Sequence, residues 1–300
     1  MLRSQVLQKE IENTYSKRNV RKIVSESIQE SDVRDLSRAI NKAIITYLTQ
    51  PYYSSKQKRV NHVRLNISIT DIIDELFITI LRESGHKPIQ SIAARFGLLF
   101  KFEDVKDNVK TASEILAVCK DTDLYNIILA RDSTTGTILI EPCYTLDNET
   151  LKKLDRLRYL PPMICEPQII NDNSQSGYLT KDESVILGSD NHHEGYQAID
   201  VLNIMARIPL SLDRATLEHE EKPKKDIDTS EKMSNFLRLI ISSRYIYQKL
   251  LSYGNCFYLN WRFDKRGRMY SQGHEVNIQS TSYKKALINL TKREIIKWLK

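Results

Sequence analysis

The chain has 300 residues of which 41% are hydrophobic, enough for one large domain or two modest ones, and it lacks the run of about eighteen apolar residues that a membrane span needs. Its cysteines, Cys119, Cys143, Cys165 and Cys256, lie far apart with no Cys-x-x-Cys pair and no histidine at finger spacing, which argues against a zinc finger and predicts reduced, mostly buried thiols. The net charge of +7 is unevenly spread: from Lys232 to Lys300 fourteen Lys and Arg face three Asp and Glu, a local balance of +11, while the other 231 residues carry −4. A basic tail on a slightly acidic body suits nucleic-acid phosphates, and a tail that binds anionic lipid would show the same asymmetry.

The first 150 residues read as a helical domain that contains one β-hairpin. Met1-Leu2-Arg3-Ser4-Gln5 leads into a polar helix that begins over 6–15 rather than into a signal peptide's apolar core, so a cytoplasmic location and no membrane partner are expected, in the host cytoplasm if the chain is phage-encoded. Ser31 is placed to cap a helix over 32–48, and Thr70-Asp71 opens the apolar periodicity Ile72, Ile73, Leu76, Phe77, Ile80, Leu81, which Gly85 ends. Pro88 starts a short helix through Phe96, and Thr111 with Glu114 reads as a capping box for a helix over 112–120. Strand patterns at 125–130 and 137–140, separated by Asp132-Ser133-Thr134-Thr135-Gly136, predict the hairpin.

A helix over 149–158 is stopped by Pro161-Pro162, and residues 151–217 then form a segment of short extended pieces around Ile164, Ile169-Ile170, Tyr178-Leu179 and Val185-Ile186-Leu187, with a helix over 197–207 closed by Pro209. Residues 218–230 are charged and lack apolar periodicity, which marks a linker. Ser230 is placed to cap a strongly apolar helix, Phe236 to Leu251, ended by Gly254, within a last region spanning 231–300. His192-His193-Glu194 has no third ligand at a useful spacing and reads as a polar loop, so no metal site is expected in this chain. Glu218-His219-Glu220-Glu221 reads as a solvated acidic face, and no phosphate-binding glycine loop, dinucleotide fingerprint or nucleophile elbow is present.

The run Phe257-Tyr258-Leu259-Asn260-Trp261-Arg262-Phe263-Asp264-Lys265-Arg266-Gly267-Arg268-Met269-Tyr270 crowds more phosphate-binding groups together than any other stretch. Read as one extended strand, it lines Arg262, Asp264, Arg266, Arg268 and Tyr270 along one face. The guanidiniums can then grip phosphate oxygens, the carboxylate can orient one of them, and Gly267 removes a Cβ where a backbone must come close. A solvated basic hairpin is the bland alternative. Of the many tyrosines, only Tyr270 and Tyr283, beside basic residues, are candidates for base stacking.

Taken with Gln279-Ser280-Thr281-Ser282-Tyr283-Lys284-Lys285-Ala286-Leu287-Ile288-Asn289-Leu290-Thr291-Lys292, this run resembles the single-subunit RNA polymerases of phages and mitochondria, whose palm begins with an aromatic strand, an Asp-x-x-Gly-Arg signature and a Lys that opens an apolar helix. Upstream, Pro162-Met163, Pro167, Gly177-Tyr178 and Gly195 to Arg207, with Ala198, Ile199 and Asn203, look like the segment that leads into that family's thumb, so the likeness covers roughly the last 140 residues. The resemblance implies an α+β fold, mostly helical: a helical amino-terminal domain with a β-hairpin, then a short thumb-like helix and the first strands of a palm. It implies that Arg262, Asp264, Arg266, Gly267, Arg268, Tyr270, Lys284 and Lys285 contact the DNA template, the nascent RNA or their hybrid.

In that family the carboxylates that hold Mg²⁺, and the finger residues that grip the incoming nucleotide, lie well downstream of the signature, whereas this chain stops thirty-two residues after Arg268. No catalytic residue is therefore expected here. Two readings fit: a split polymerase whose second subunit carries the catalytic palm and fingers and binds Mg²⁺, or a relic that keeps only nucleic-acid binding. Heterodimeric phage enzymes in the family break just after this signature. On the first reading, a helix over 284–300 would present Leu287, Leu290, Ile295 and Trp298 to that subunit, and promoter opening would need an accessory single-stranded-DNA-binding factor. The competing class is a non-catalytic protein that coats RNA or single-stranded DNA through its basic tail.

Overall fold

The structure is a computed structural model, and it describes residues 3–27, 30–82, 85–131, 136–188, 195–223 and 226–292. In chain order its elements are α1 (Arg3–Thr14), α2 (Lys17–Ser27), α3 (Glu30–Thr49), α4 (Ser54–Asn66), α5 (Ile69–Leu81), β1 (Lys87–Pro88), α6 (Ile89–Gly97), α7 (Val105–Val118), β2 (Tyr125–Arg131), β3 (Gly136–Pro142) and α8 (Asn148–Arg156). They continue with α9 (Ile199–Ala206), β4 (Leu210–Leu212), α10 (Arg214–Leu217), α11 (Ser230–Ser252), β5 (Trp261–Phe263), β6 (Met269–Ser271), α12 (Ser282–Leu287) and β7 (Ile288–Leu290). The class is α+β, with small antiparallel sheets ordered β1-β3-β2, β4-β7 and β5-β6. Among the described residues, no helix is long and apolar enough to cross a membrane.

Two compact units divide the chain, one of residues 17–157 and one that joins residues 1–16 to residues 158–300. The amino-terminal helix thus belongs with the carboxyl-terminal half. It is fixed there by two adjacent-turn polar side chains that are both buried, Gln8 and Glu12. Gln8 Oε1 accepts from Ile164 N at 2.9 Å, while the Glu12 carboxylate accepts from Leu179 N at 3.0 Å and from the backbone and hydroxyl of Thr180, each at 2.7 Å. Gln8 Nε2 donates to Glu12 at 2.9 Å, so the helix carries a buried charge with its acceptors filled.

In the 17–157 unit apolar residues of α3, α4, α5, α6 and α7 form a core that includes Ile40, Ile44, Val60, Val63, Ile72, Leu76, Phe96, Ile115 and Leu116, all buried. The hairpin expected from the sequence is β2–β3, in register Ile127↔Ile140 and Leu129↔Ile138. The capping box expected at Thr111 and Glu114 is overturned. Asp104 caps α7 seven residues earlier by accepting from Lys106 N, which puts Thr111 and Glu114 in the middle of the helix. Their side chains serve the buried Arg59 of α4 instead: its Nε donates to Thr111 Oγ1 at 3.2 Å, its Nη2 pairs with Glu114, and its Nη1 lies 3.7 Å from Asp107. Glu114 also accepts from the Tyr47 hydroxyl at 2.7 Å and pushes the Tyr47 pKa up after burial has already raised it, tying α3 into the same network.

In the other unit, Thr229 rather than Ser230 caps α11, accepting from Lys232 N, and Gly254 follows its end. Ser31 likewise lies inside α3, which begins at Glu30. The expected polar loop 192–194 lies outside the described residues. Arg59→Ala removes the buried guanidinium that links Thr111, Glu114 and Asp107, and should cost the 17–157 unit about 1–3 kcal/mol, read as a lowered midpoint in urea denaturation followed by circular dichroism.

Candidate nucleic-acid interface

The signature rests on an extended segment whose alternate residues point into the core. Phe257, Leu259, Trp261 and Phe263 are all buried, which is the period-two pattern of a strand with one inward face. Its backbone is held from three directions. Phe257 and Leu210 exchange both hydrogen bonds, at 2.9 and 2.8 Å, and Tyr258 and Met163 do the same at 2.8 and 3.0 Å. Phe263 N donates to Val185 O at 2.8 Å, and Phe263 O accepts from Leu187 N at 2.7 Å.

The upstream residues that carry the sequence resemblance gather here. Gly177 approaches so closely that a Cβ would lie 2.1 Å from Asn260 Oδ1 and 2.8 Å from Pro167 Cβ, so glycine is required by space. Tyr178 is next to it, with burial pushing its phenol up to about 12. Asn203 brackets Ile170 by donating to its carbonyl at 2.8 Å and accepting from its N–H at 2.9 Å. Gly177, Pro167 and Met163 thus converge on the strand that leads into the signature.

The expected single strand from Arg262 to Tyr270 is overturned. The chain turns back at Asp264, and β5 and β6 pair as an antiparallel hairpin in register Trp261↔Ser271, Arg262↔Tyr270 and Phe263↔Met269. Of the five side chains, only Arg262 and Tyr270 are cross-strand neighbours; Asp264, Arg266 and Arg268 belong to the loop. Gly267 is required by its backbone conformation. Its φ is +78° and nothing lies within 4 Å of where a Cβ would stand. The turn closes with Gly267 N donating to Asp264 O at 2.9 Å and Asp264 N donating to Arg268 O at 2.8 Å.

Asp264 organises this loop. Its Oδ1 accepts from Arg266 N and Arg268 N, both at 2.9 Å, and its Oδ2 accepts from Arg268 Nε at 2.8 Å and Nη2 at 2.7 Å, with Arg266 Nε at 3.5 Å. Burial pushes the Asp264 carboxyl upward, but the Arg268 N–H, its guanidinium and charge, and the Tyr270 hydroxyl outweigh that and hold it below the usual range. The carboxylate is four-fifths buried, whereas the side chains of Arg266 and Arg268 are 73% and 54% exposed. Lys265 is exposed beside them, and the Arg268 guanidinium carbon lies 5.7 Å from the Tyr270 ring centre. An anionic hub therefore sets the loop's shape while three cations stay exposed to solvent.

Two expected phosphate ligands have other employment. Arg262 is 18% exposed, donates through Nη2 to Ile186 O at 2.9 Å and pairs through Nη1 with Glu183 at 3.5 Å, so its charge braces the hairpin. Lys284 is buried, and its Nζ donates to His274 O at 3.1 Å. Burial lowers the Lys284 pKa, while Glu221 and Glu275 push it back up. Lys285, its neighbour, is exposed.

The expected docking helix over 284–300 is also corrected. α12 ends at Leu287, where Ile288 turns extended at φ −105°, ψ 116°, and Ile288–Leu290 pairs with β4. Asn289 Nδ2 secures the change by donating to Asp213 Oδ2 at 2.7 Å. Leu287 is a core residue, packed in the cluster with Phe257 and Trp261, and is not offered to a partner. Leu290 is 59% exposed; Ile295 and Trp298 lie outside the described residues.

Sequence reasoning missed Glu183 and Ile186, which hold Arg262, and the Gln8–Glu12 pair. Only the last left a trace, as two polar residues one helical turn apart. Among the described residues no group of three or more His, Cys, Asp and Glu is placed to hold a metal ion. No protein-family model matches the chain, and no curated protein matches it in sequence.

Because the folded pKa of Asp264 lies below its unfolded value of about 3.9, its ionised form stabilises the loop above that value and the contribution is lost as pH falls from there through the folded pKa. The Arg268 Nε–H resonance should therefore lose its protection from exchange within that acid window, and Asp264→Asn should lack the transition. Gly177→Ala should destabilise the unit by about 1–3 kcal/mol in urea melts through overpacking, and adding Asn260→Ala should recover part of the loss.

Proposed function

We propose that this chain is the nucleic-acid-gripping subunit of a split DNA-dependent RNA polymerase. The observation that carries the reading is the Asp264-centred loop, which fixes Arg268 and presents Lys265, Arg266 and Arg268 on an exposed hairpin tip. Its support is the strand beneath, gripped by Met163 and crowded by Gly177, since residues matched to the polymerase pattern on sequence grounds meet at one place.

On this reading Arg266 and Arg268 hold phosphates of the template or of the RNA–DNA hybrid, Asp264 orients them, and Lys285 touches the nascent RNA or the template. Arg262 and Lys284 act one step back, holding the hairpin and the turn after it. Catalysis requires a second subunit that brings palm and fingers, and Mg²⁺ bound by that subunit's carboxylates would supply the charge stabilisation for nucleotidyl transfer. Leu290 is the expected partner contact that remains exposed. Promoter opening would draw on an accessory single-stranded-DNA-binding factor. The second reading, a non-catalytic RNA or single-stranded-DNA-binding protein, is favoured by the same exposed cations and needs no partner.

A tagged pull-down from the native cell, with the eluate assayed for extension of a primed RNA–DNA scaffold, separates the two. A stoichiometric partner and extension that neither polypeptide gives alone is expected; nucleic-acid binding with no partner and no extension would favour the second reading. Arg268→Ala should lower the salt dependence of scaffold binding by about one unit of log–log slope and cut extension about tenfold or more, with the melting temperature little changed. Extension at the unsubstituted rate would refute the role given to Arg268.

A further inference from the structure

A surface stack stands next to the signature hairpin. Tyr159 and His274 lie with ring centres 3.9 Å apart and planes 19° from parallel. Buried aromatic pairs of this kind are core packing, but here Tyr159 is 40% exposed and His274 is exposed. The Arg158 guanidinium carbon lies 6.0 Å from the Tyr159 ring centre, adding a cation at the stack's edge.

The stack is rigidly tied to the hairpin. His274 follows β6 in a turn held by Asn277, whose Nδ2 donates to Gly273 O at 3.1 Å, and by Ser271, whose N donates to Gln279 Oε1 at 2.8 Å. Lys284 Nζ clamps the His274 carbonyl from below at 3.1 Å. Partial desolvation of the stacked ring lowers the His274 pKa, and the charges of Lys284 and Arg158 lower it further, which favours the neutral imidazole beside these cations. At most about 22 Å of chain separates Arg268 from His274, so one short strand can reach both.

We propose that Tyr159 and His274 form a stacking platform for a base of single-stranded nucleic acid whose phosphates lie on the Arg266–Arg268 loop. The inference rests on the nucleic-acid reading given above, and divides the labour within it. The loop supplies a charge grip that is blind to bases, and the stack supplies a base contact that is blind to charge. Cation alone gives affinity for any polyanion; the platform adds a preference for strands with unpaired bases.

The test compares fluorescently labelled oligodeoxyadenylate with an abasic oligonucleotide of the same length, both titrated into the full chain. Tyr159→Leu and His274→Ala should each weaken binding of oligodeoxyadenylate about tenfold and leave binding of the abasic strand unchanged. His274→Phe, which keeps an aromatic face, should retain the affinity of the unsubstituted protein, and circular dichroism of each variant reports folding. Equal affinity of the unsubstituted protein for the two strands overturns the platform and leaves the phosphate grip standing. Unchanged oligodeoxyadenylate binding by Tyr159→Leu does the same. Absence of binding to either strand would sink the nucleic-acid reading itself.

Discussion

The carboxylate of Asp264 solves a problem that its own neighbourhood creates. Three cations within four residues repel one another and, as long flexible side chains, lose about 2 kcal/mol of rotamer entropy each when they are fixed on a ligand. One oxygen of Asp264 gathers two backbone N–H groups, and the other takes both N–H groups on one edge of Arg268. Part of the ordering is then complete in the free protein. The loop keeps a net positive charge because a single carboxylate cannot neutralise three cations, and it keeps its shape because that carboxylate is shielded while they are not.

Cations in this unit fall into two kinds that a sequence does not separate. Arg262 and Lys284 look like ligands, yet each spends its donors on carbonyls, Ile186 O in one case and His274 O in the other. Burying them costs desolvation, which the carbonyl contacts and the nearby Glu183, Glu221 and Glu275 offset. Lys265, Arg266, Arg268 and Lys285 remain at the surface. The inner cations hold the frame and the outer ones meet solvent.

What was legible in the sequence follows the range of the interactions concerned. Helices with one clean apolar stripe, such as α5 and α6, and the β2–β3 hairpin depend on local periodicity and stand close to where that periodicity puts them, although α5 ends at Leu81, short of Gly85. α4 mixes charge and apolar residues without a stripe and left no signal, although Val60 and Val63 are fully buried. The Thr111–Glu114 spacing has the form of a helix start, but the partner that explains it, Arg59, is more than fifty residues away. Aromatic alternation at Trp261 and Phe263 correctly marked extended chain. It did not show that the chain turns at Asp264, because a Gly three residues on fits either a close approach or a positive φ, and only the fold selects the second. The run after Lys284 has apolar residues at helical spacing, and its pairing with the distant Leu210–Leu212 is what pulled it into a strand.

The division of the chain also governs the order in which it can fold during synthesis. Residues 17–157 are contiguous, so that unit has all its partners as soon as it has been made. Helix α1 is made earlier but must wait: the Glu12 carboxylate lacks these donors until Leu179 and Thr180 emerge, 167 and 168 residues later. Until then a helix with a polar face and a half-formed apolar one is left exposed, while a complete domain folds behind it. The nascent chain therefore carries α1 unpaired until then, and closing that long loop is a late step whose cost grows only slowly with the residues in between.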